Sequence, residues 1–492
     1  MLKKALFICF ILSSFISSSQ EIVKEFNLKL ARKRNFFQVT NENSKEVILF
    51  LNDKEKVSSI RFDNKFEIKD SISTLRPEKK YTEIIGYSQK DQNYFLFWGS
   101  KDRNDINVQS FNFLTKETQA KPITLELKKE KVIKEITINN TFYLISIVKN
   151  SSILKFYTSD ENGNLNEKMV DLTKFQFRNK DGQNVNLYNV LFEVFEEHFI
   201  QTIHNDSPPS LAFSSKKLKA YAYKNDEIIF TFDNNTDQTT ILKINLNNFT
   251  PTLKSIDQPK ITQSSSDFSI PKSNSFLIDD KILQIKTNPS FLFLTISDQN
   301  GNKINEFKTL REEEISYKNS DVFQEAGSIS NKKVLEKPKQ FIRKINNSNP
   351  GISCYNLNGL YYVVIGSSQD IARGGGMAMG PGFGPGFSGS PISFGFTSTY
   401  TIGNLISYKG KNVVYTNCLF DSSFNHINAE VKTSAFEKAR LFLEENEEIS
   451  EKISLIGKDI YEDLIVFKFN SSLYLGNYNN DNKKYQIFSF SE

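Results

Sequence analysis

A short cassette occurs twice in the chain. Ser159-Asp160-Glu161-Asn162-Gly163-Asn164 returns as Ser297-Asp298-Gln299-Asn300-Gly301-Asn302, and Asn166-Glu167 and Asn305-Glu306 follow at nearly the same offset. An apolar run precedes each copy. Asn-Gly between two strand-like runs is the strongest short-range signal for a tight hairpin, because its central residues need positive φ. Two copies mean that a sheet unit has been repeated.

Apolar runs of strand length recur between the cassettes and on both sides of them. They are Val47 to Leu51, Tyr94 to Trp98, Phe142 to Val148, Ile228 to Phe232, Phe291 to Ile296, Leu360 to Ile365 and Leu464 to Phe469. Continuous apolarity over that length suits strands buried on both faces. Neighbouring runs alternate: Leu242, Ile244 and Leu246 share one face, with Lys243 and Asn245 on the other. Abundant Phe and Tyr, 43 and 19 residues, favour half-buried sheet.

The cassettes stand 138 residues apart, room for three units of about 46 residues each. The expectation is an all-β fold: a β-propeller-like array of about seven antiparallel blades, with loop insertions and one short helix. The likeness to propellers is architectural, covers most of the mature chain and implies no activity. The propeller-like domain is expected over 47–492, with residues 20–46 an N-terminal segment that closes the last blade. The helix is expected from Ser434 to about Asn446, since Ser434 and Glu437 have capping-box spacing and Phe436, Ala439 and Leu443 fall on one face. Insertions are expected at Asp171 to Asn189, at Arg311 to Asn349 and at a Gly-rich stretch over 374–400.

Residues 1–19 read as a secretory leader. Lys3 and Lys4 precede an apolar run from Ala5 to Ile16, and Ser17-Ser18-Ser19 supplies small residues for cleavage at Ser19-Gln20. The apolar run is too short to span a bilayer, and no later segment is long enough. The mature chain is therefore expected to be secreted or periplasmic. Loss of the two lysines takes the net charge from +5 to +3, a near balance that argues neither for nucleic acid nor for an anionic membrane, and no nucleic-acid partner is expected.

The cassette offers Asp160, Asn162, Asn164 and Asp171 at positions 1, 3, 5 and 12 of an EF-hand-like loop. Leu165 and Lys303 stand where such a loop needs glycine, so a hairpin is expected and no metal. The cassette also resembles the Asp-box turn of sialidase-type propellers. It departs from that pattern because its Ser and Asp are adjacent and no Trp follows.

Gly374 to Tyr408 carries no charged residue. Its Gly and Pro density opposes regular structure. Gly384-x-Gly386-x-x-Gly389 matches a dinucleotide fingerprint only formally, lacking a βαβ setting, and no cofactor is expected. Met377, Met379, Phe383 and Phe387 are the expected partner contacts, because exposed apolar groups on a surface loop usually mark an interaction site. Cys354 and Cys418 flank this stretch; they either staple its base as a disulfide or remain two buried thiols.

Catalytic signals are sparse. His198, His204 and His426 are the only histidines, Trp98 the only tryptophan, and no Gly-x-Ser-x-Gly elbow occurs. No catalytic residue is assigned, and binding is favoured over catalysis. The expected partner is an envelope protein or a surface glycan. Two alternatives stand beside it: a carbohydrate-active hydrolase or lyase using two carboxylates at the propeller channel, and an envelope structural factor anchored by the apolar loop.

Overall fold

The computed structural model describes residues 20–31, 35–42, 44–193, 199–203, 210–223, 226–260, 270–327, 331–371, 402–446 and 464–491. Each of the seven apolar runs lies in a strand, and each strand lies in a different sheet. Burial explains their composition: Glu46–Asn52 is buried at every position. Fourth strands of the sheets, such as Leu165–Asp171, are mostly exposed and mix charge with apolar residues.

The described residues hold seven four- or five-stranded sheets, a propeller-like architecture. The chain divides into two units, Met1–Arg76 with Thr433–Glu492, and Pro77–Lys432.

The first unit contains two sheets. One is the antiparallel meander Asn35–Asn41, Glu46–Asn52, Lys56–Phe62 and Ile68–Leu75. The other runs Leu464–Phe469, Ser472–Asn479 and Lys484–Phe490, and takes its outer strand from the far end of the chain, Gln20–Asn27. That strand pairs antiparallel from Gln20 opposite Phe490 to Asn27 opposite Lys484, with a register shift between Ile22 and Lys24. Phe26 seats its ring 5.4 Å from Tyr485 and 5.8 Å from Phe62. The helix Ala435–Glu445 is capped by Ser434, whose side chain accepts from Glu437 N. Its Phe442 packs 4.8 Å from Phe488.

Among its described residues, the second unit contains five four- or five-stranded sheets, over residues 81–124, 130–171, 201–257, 272–310 and 323–420. The last takes its outer strands, Phe323–Ala326 and Lys332–Val334, from upstream of its meander. Not every pair is antiparallel: Gln201–Ile203 runs parallel to Leu218–Tyr223. Among the described residues, the expected single helix is joined by four more: Leu187–Leu191, Leu211–Ser214, Pro338–Asn347 and Ile402–Leu405. Three of these are one turn long, too short for periodicity to reveal. Pro338–Asn347 starts on a proline, buries Phe341, Ile342 and Ile345, and stops before Pro350, which disfavours helix in the residue before it.

Both cassettes turn from the third strand to the fourth of their sheets. Gly163 has φ +70° and Gly301 φ +88°. Among the described residues, one sheet of four or more strands, 201–257, lies between the two cassette-bearing sheets in chain order. The 138 residues therefore span two sheet steps rather than three units of about 46. The excess is the connection 172–217, which holds the small hairpin Phe177–Arg178 with Asn184–Val185 and two of the short helices.

Candidate functional site

The repeated turn is built by its first side chain. Asp160 Oδ1 accepts from Asn162 N at 2.9 Å and Asn164 N at 2.8 Å, while Oδ2 accepts from Asn164 Nδ2 at 2.9 Å. Asp298 repeats this set with Asn300 N, Asn302 N and Asn302 Nδ2 at 2.8, 2.9 and 2.8 Å. Asp421 does the same with Ser423 and Asn425, around Phe424 at φ +59°. Asp63 accepts from Lys65 N and Glu67 N around Phe66 at φ +60°, and Asn179 heads a fifth copy around Gly182. The four carboxylates and the Asn179 amide oxygen spend their lone pairs on the turn. The Asn302 side chain and the turn amides hold Asp298 below the ordinary carboxylate range. Among the described residues no cluster of His, Cys, Asp and Glu is arranged to hold a metal ion.

Side chains from a preceding outer strand grip these turns. Lys121 Nζ donates to Asn162 O at 2.8 Å and Asn164 Oδ1 at 2.6 Å. Lys254 Nζ donates to Asn300 Oδ1. Lys24 pairs with Glu67 at 2.7 Å, and Asn305 Nδ2 donates to Phe424 O at 3.0 Å. The cassette's polar residues thus join sheet to sheet.

The Gly-rich insertion has a well-defined root. Leu360–Asp370 and Lys411–Phe420 are adjacent antiparallel strands of the 323–420 sheet, and their last rung is Asp370 opposite Lys411, closed by an ion pair. Ile371 N donates to Gly410 O at 3.0 Å. On the return, Asn404 Oδ1 accepts from Ser210 N at 2.9 Å, Ser407 Oγ donates to Ser210 Oγ at 2.5 Å, and Leu211 N donates to Tyr408 OH at 3.1 Å. Met377, Met379, Phe383 and Phe387 lie outside the described residues, as do His198 and His204. His426 Nε2 sits 3.0 Å from Asn319 Oδ1, and burial pushes its pKa down.

Of the two alternatives for Cys354 and Cys418, a disulfide or two buried thiols, the structure has the thiols and the possible disulfide is corrected. Cys354 and Cys418 are free, buried thiols. Each is paired in register with Val363, one from either side, so a whole strand separates them. Two strand spacings make roughly 9.6 Å, beyond the reach of a disulfide. Burial pushes both thiol pKa values up.

Sequence reading missed the polar hub beneath the root. Lys219 and Asp233 are fully buried and paired at 2.8 Å. Lys219 Nζ also donates to Asn274 Oδ1 at 2.7 Å and Lys216 O at 2.8 Å. Asp233 accepts from Thr239 Oγ1, Ser275 Oγ and Ser275 N as well. Burial alone would raise the Asp233 pKa; Lys219 and these donors outweigh it and hold it low. Asn274 Nδ2 reaches Ser215 O at 2.8 Å and Pro350 O at 2.9 Å. The hub therefore ties the 201–257, 272–310 and 323–420 sheets to the 210–216 segment, which in turn holds the root. The lysine inside the otherwise uncharged strand Leu218–Tyr223 was the available signal.

A second ionic cluster joins two carboxylates. Arg103 Nη2 donates to Glu83 Oε1 at 2.6 Å, and Arg103 Nε to Glu135. Burial raises the Glu135 pKa against the pull of Arg103. The guanidinium binds both carboxylates. Trp98 is wholly buried, with Nε1 donating to Gln109 Oε1 at 3.1 Å, so it offers no stacking face.

No family model matches the chain, and no curated protein matches it. Solved structures give only distant likenesses. A Synechocystis apocarotenoid oxygenase is 9% identical, with 57% of this chain and 62% of that one covered and a TM-score of 0.29. A prolyl endopeptidase is 7% identical, covering 68% and 39%, at 0.31. The WD40 domain of SCAP from fission yeast is 11% identical, covering 71% and 86%, at 0.27. The chain spans less than two-thirds of the first two. At these values the likenesses assign no activity.

Proposed function

We propose that the protein is an extracytoplasmic, non-enzymatic binding or scaffolding protein, and that its charge-free insertion 374–400 engages an envelope protein or a surface glycan. The observation that carries this reading is the root. The insertion leaves and rejoins the sheet at one rung, Asp370 and Lys411, and its return is fixed by buried polar contacts to Ser210 and Leu211. Buried polar bonds are costly unless satisfied, and here they are spent on holding the base of an apolar segment in one place. A loop presented on a rigid scaffold is the usual arrangement for recognition. The leader-like first nineteen residues supply the compartment.

Deleting Gly374 to Gly389 tests the reading. Tagged wild-type and deleted chains are compared for what each captures from an envelope extract. The expected result is loss of at least one partner on deletion, with the melting temperature kept. An identical captured set sinks the reading.

A further inference from the structure

Lysines gather beside the root of the insertion. Lys216 and Lys217 precede the strand Leu218–Tyr223 of the 201–257 sheet, Lys272 opens the 272–310 sheet, and Lys411 forms the rung with Asp370. Contacts connect them. Lys217 Nζ donates to Ser273 O, and Lys272 Nζ to Ser348 O at 2.9 Å. Ser348 Oγ in turn donates to Gln369 Oε1 at 3.2 Å, one residue from Asp370. Lys216 is within electrostatic reach of Lys411 and Asp370, and makes no ion pair among the described residues.

Among the described residues, the lysines there outnumber the two carboxylates that act on them, Asp233 and Asp370. Asp233, below, is saturated by Lys219, Thr239 and Ser275. Asp370 serves Lys411. Lys216, Lys217 and Lys272 are left with backbone carbonyls or solvent. Burial pushes the Lys216 pKa down, with Lys411 adding and Asp370 opposing, and takes Lys217 down to about 8, with Asp233 opposing and Lys219 and Lys272 adding. A bound anion would relieve this.

We propose that Lys216, Lys217, Lys272 and Lys411 form a docking site for the anionic groups of an acidic glycan; the proposal rests on the binding reading above and names its ligand class. Charge complementarity sets the sign of the ligand. The patch is bordered by hydroxyl and amide groups, Ser348 and Gln369, which suit a hydroxyl-rich polymer better than acyl chains.

The test is affinity electrophoresis of the full chain through gels containing polygalacturonate, with neutral dextran gels and anionic phospholipid vesicles as parallel arms. Polygalacturonate retards the wild type, and added salt removes the effect. The double variant Lys216→Gln/Lys272→Gln keeps its melting temperature and binds more weakly, by about two- to fivefold per lysine. Absence of retardation, equal retardation of wild type and double variant, or a preference for vesicles overturns the proposal. Capture of an envelope partner lost on deletion of Gly374 to Gly389 is scored separately, so failure here leaves the broader reading standing.

Discussion

Gly163 and Gly301 occupy the same place in two different sheets. Each is the fourth residue of an Asp-headed turn between third and fourth strands, and each donates its N–H to the first residue's carbonyl at 3.1 Å. Their surroundings differ. A methyl at Gly163 would meet Phe95 Cδ1 at 2.7 Å and Val108 Cγ1 at 3.0 Å, whereas one at Gly301 would touch only Ile256 Cγ2 at 3.9 Å. Both substitutions to Ala carry the left-handed strain of about 1–2 kcal/mol. Gly163→Ala is therefore expected to lower the urea midpoint more than Gly301→Ala. Equal shifts would show that the Phe95 contact is immaterial.

The buried pair Lys219 and Asp233 gives a second expectation. Lys219→Met leaves a buried carboxylate without its cation, at a cost of roughly 3–5 kcal/mol. The double variant Lys219→Met/Asp233→Leu is expected to recover part of that loss. A single variant as stable as wild type would mean that the pair is not closed in solution.

Alkaline pH is expected to stabilise the Pro77–Lys432 unit. Burial lowers Lys134 to about 8, opposed by Glu135, and Lys217 to about 8. Both lysines carry more protons unfolded than folded between about pH 8 and the ordinary lysine value of about 10.5, so stability rises with pH across that window. Urea midpoints at about pH 7.5 and about pH 9.5 check the sign, and Lys134→Met should flatten the rise. A fall in midpoint over that interval contradicts the placement of these side chains.

Thiol chemistry follows from the strand between Cys354 and Cys418. Native chain lacking residues 1–19 is expected to react with no thiol reagent, and denatured chain to expose both thiols without reductant. Recovery of both thiols only after reduction would restore the disulfide.

Much of the fold was legible because its signals are local. Seven apolar runs gave seven sheets, and the Ser434 cap with Phe436 and Leu443 gave one of the two described helices long enough to have a face; the other, Pro338–Asn347, went unread. Asn-Gly marked two turns; the equivalents at Asp63 and Asp421 were hidden because Phe66 and Phe424 take the positive φ there. Long-range pairings left no trace along the chain. The docking of Phe323–Ala326 beside Lys411–Phe420, and the Lys219–Asp233 pair, depend on partners that local pattern cannot choose. The length of the 172–217 connection likewise made two sheet steps read as three units.

The most direct measurement is site-specific photocrosslinking in envelope extract, with the reactive group placed at Met377 or Phe387 and, as a control, at Leu114 on a turn of the 81–124 sheet, where the side chain is 78% exposed. The account predicts a discrete adduct from the insertion positions and none from Leu114. The same adducts from all three positions, or none from Met377 and Phe387, would contradict it.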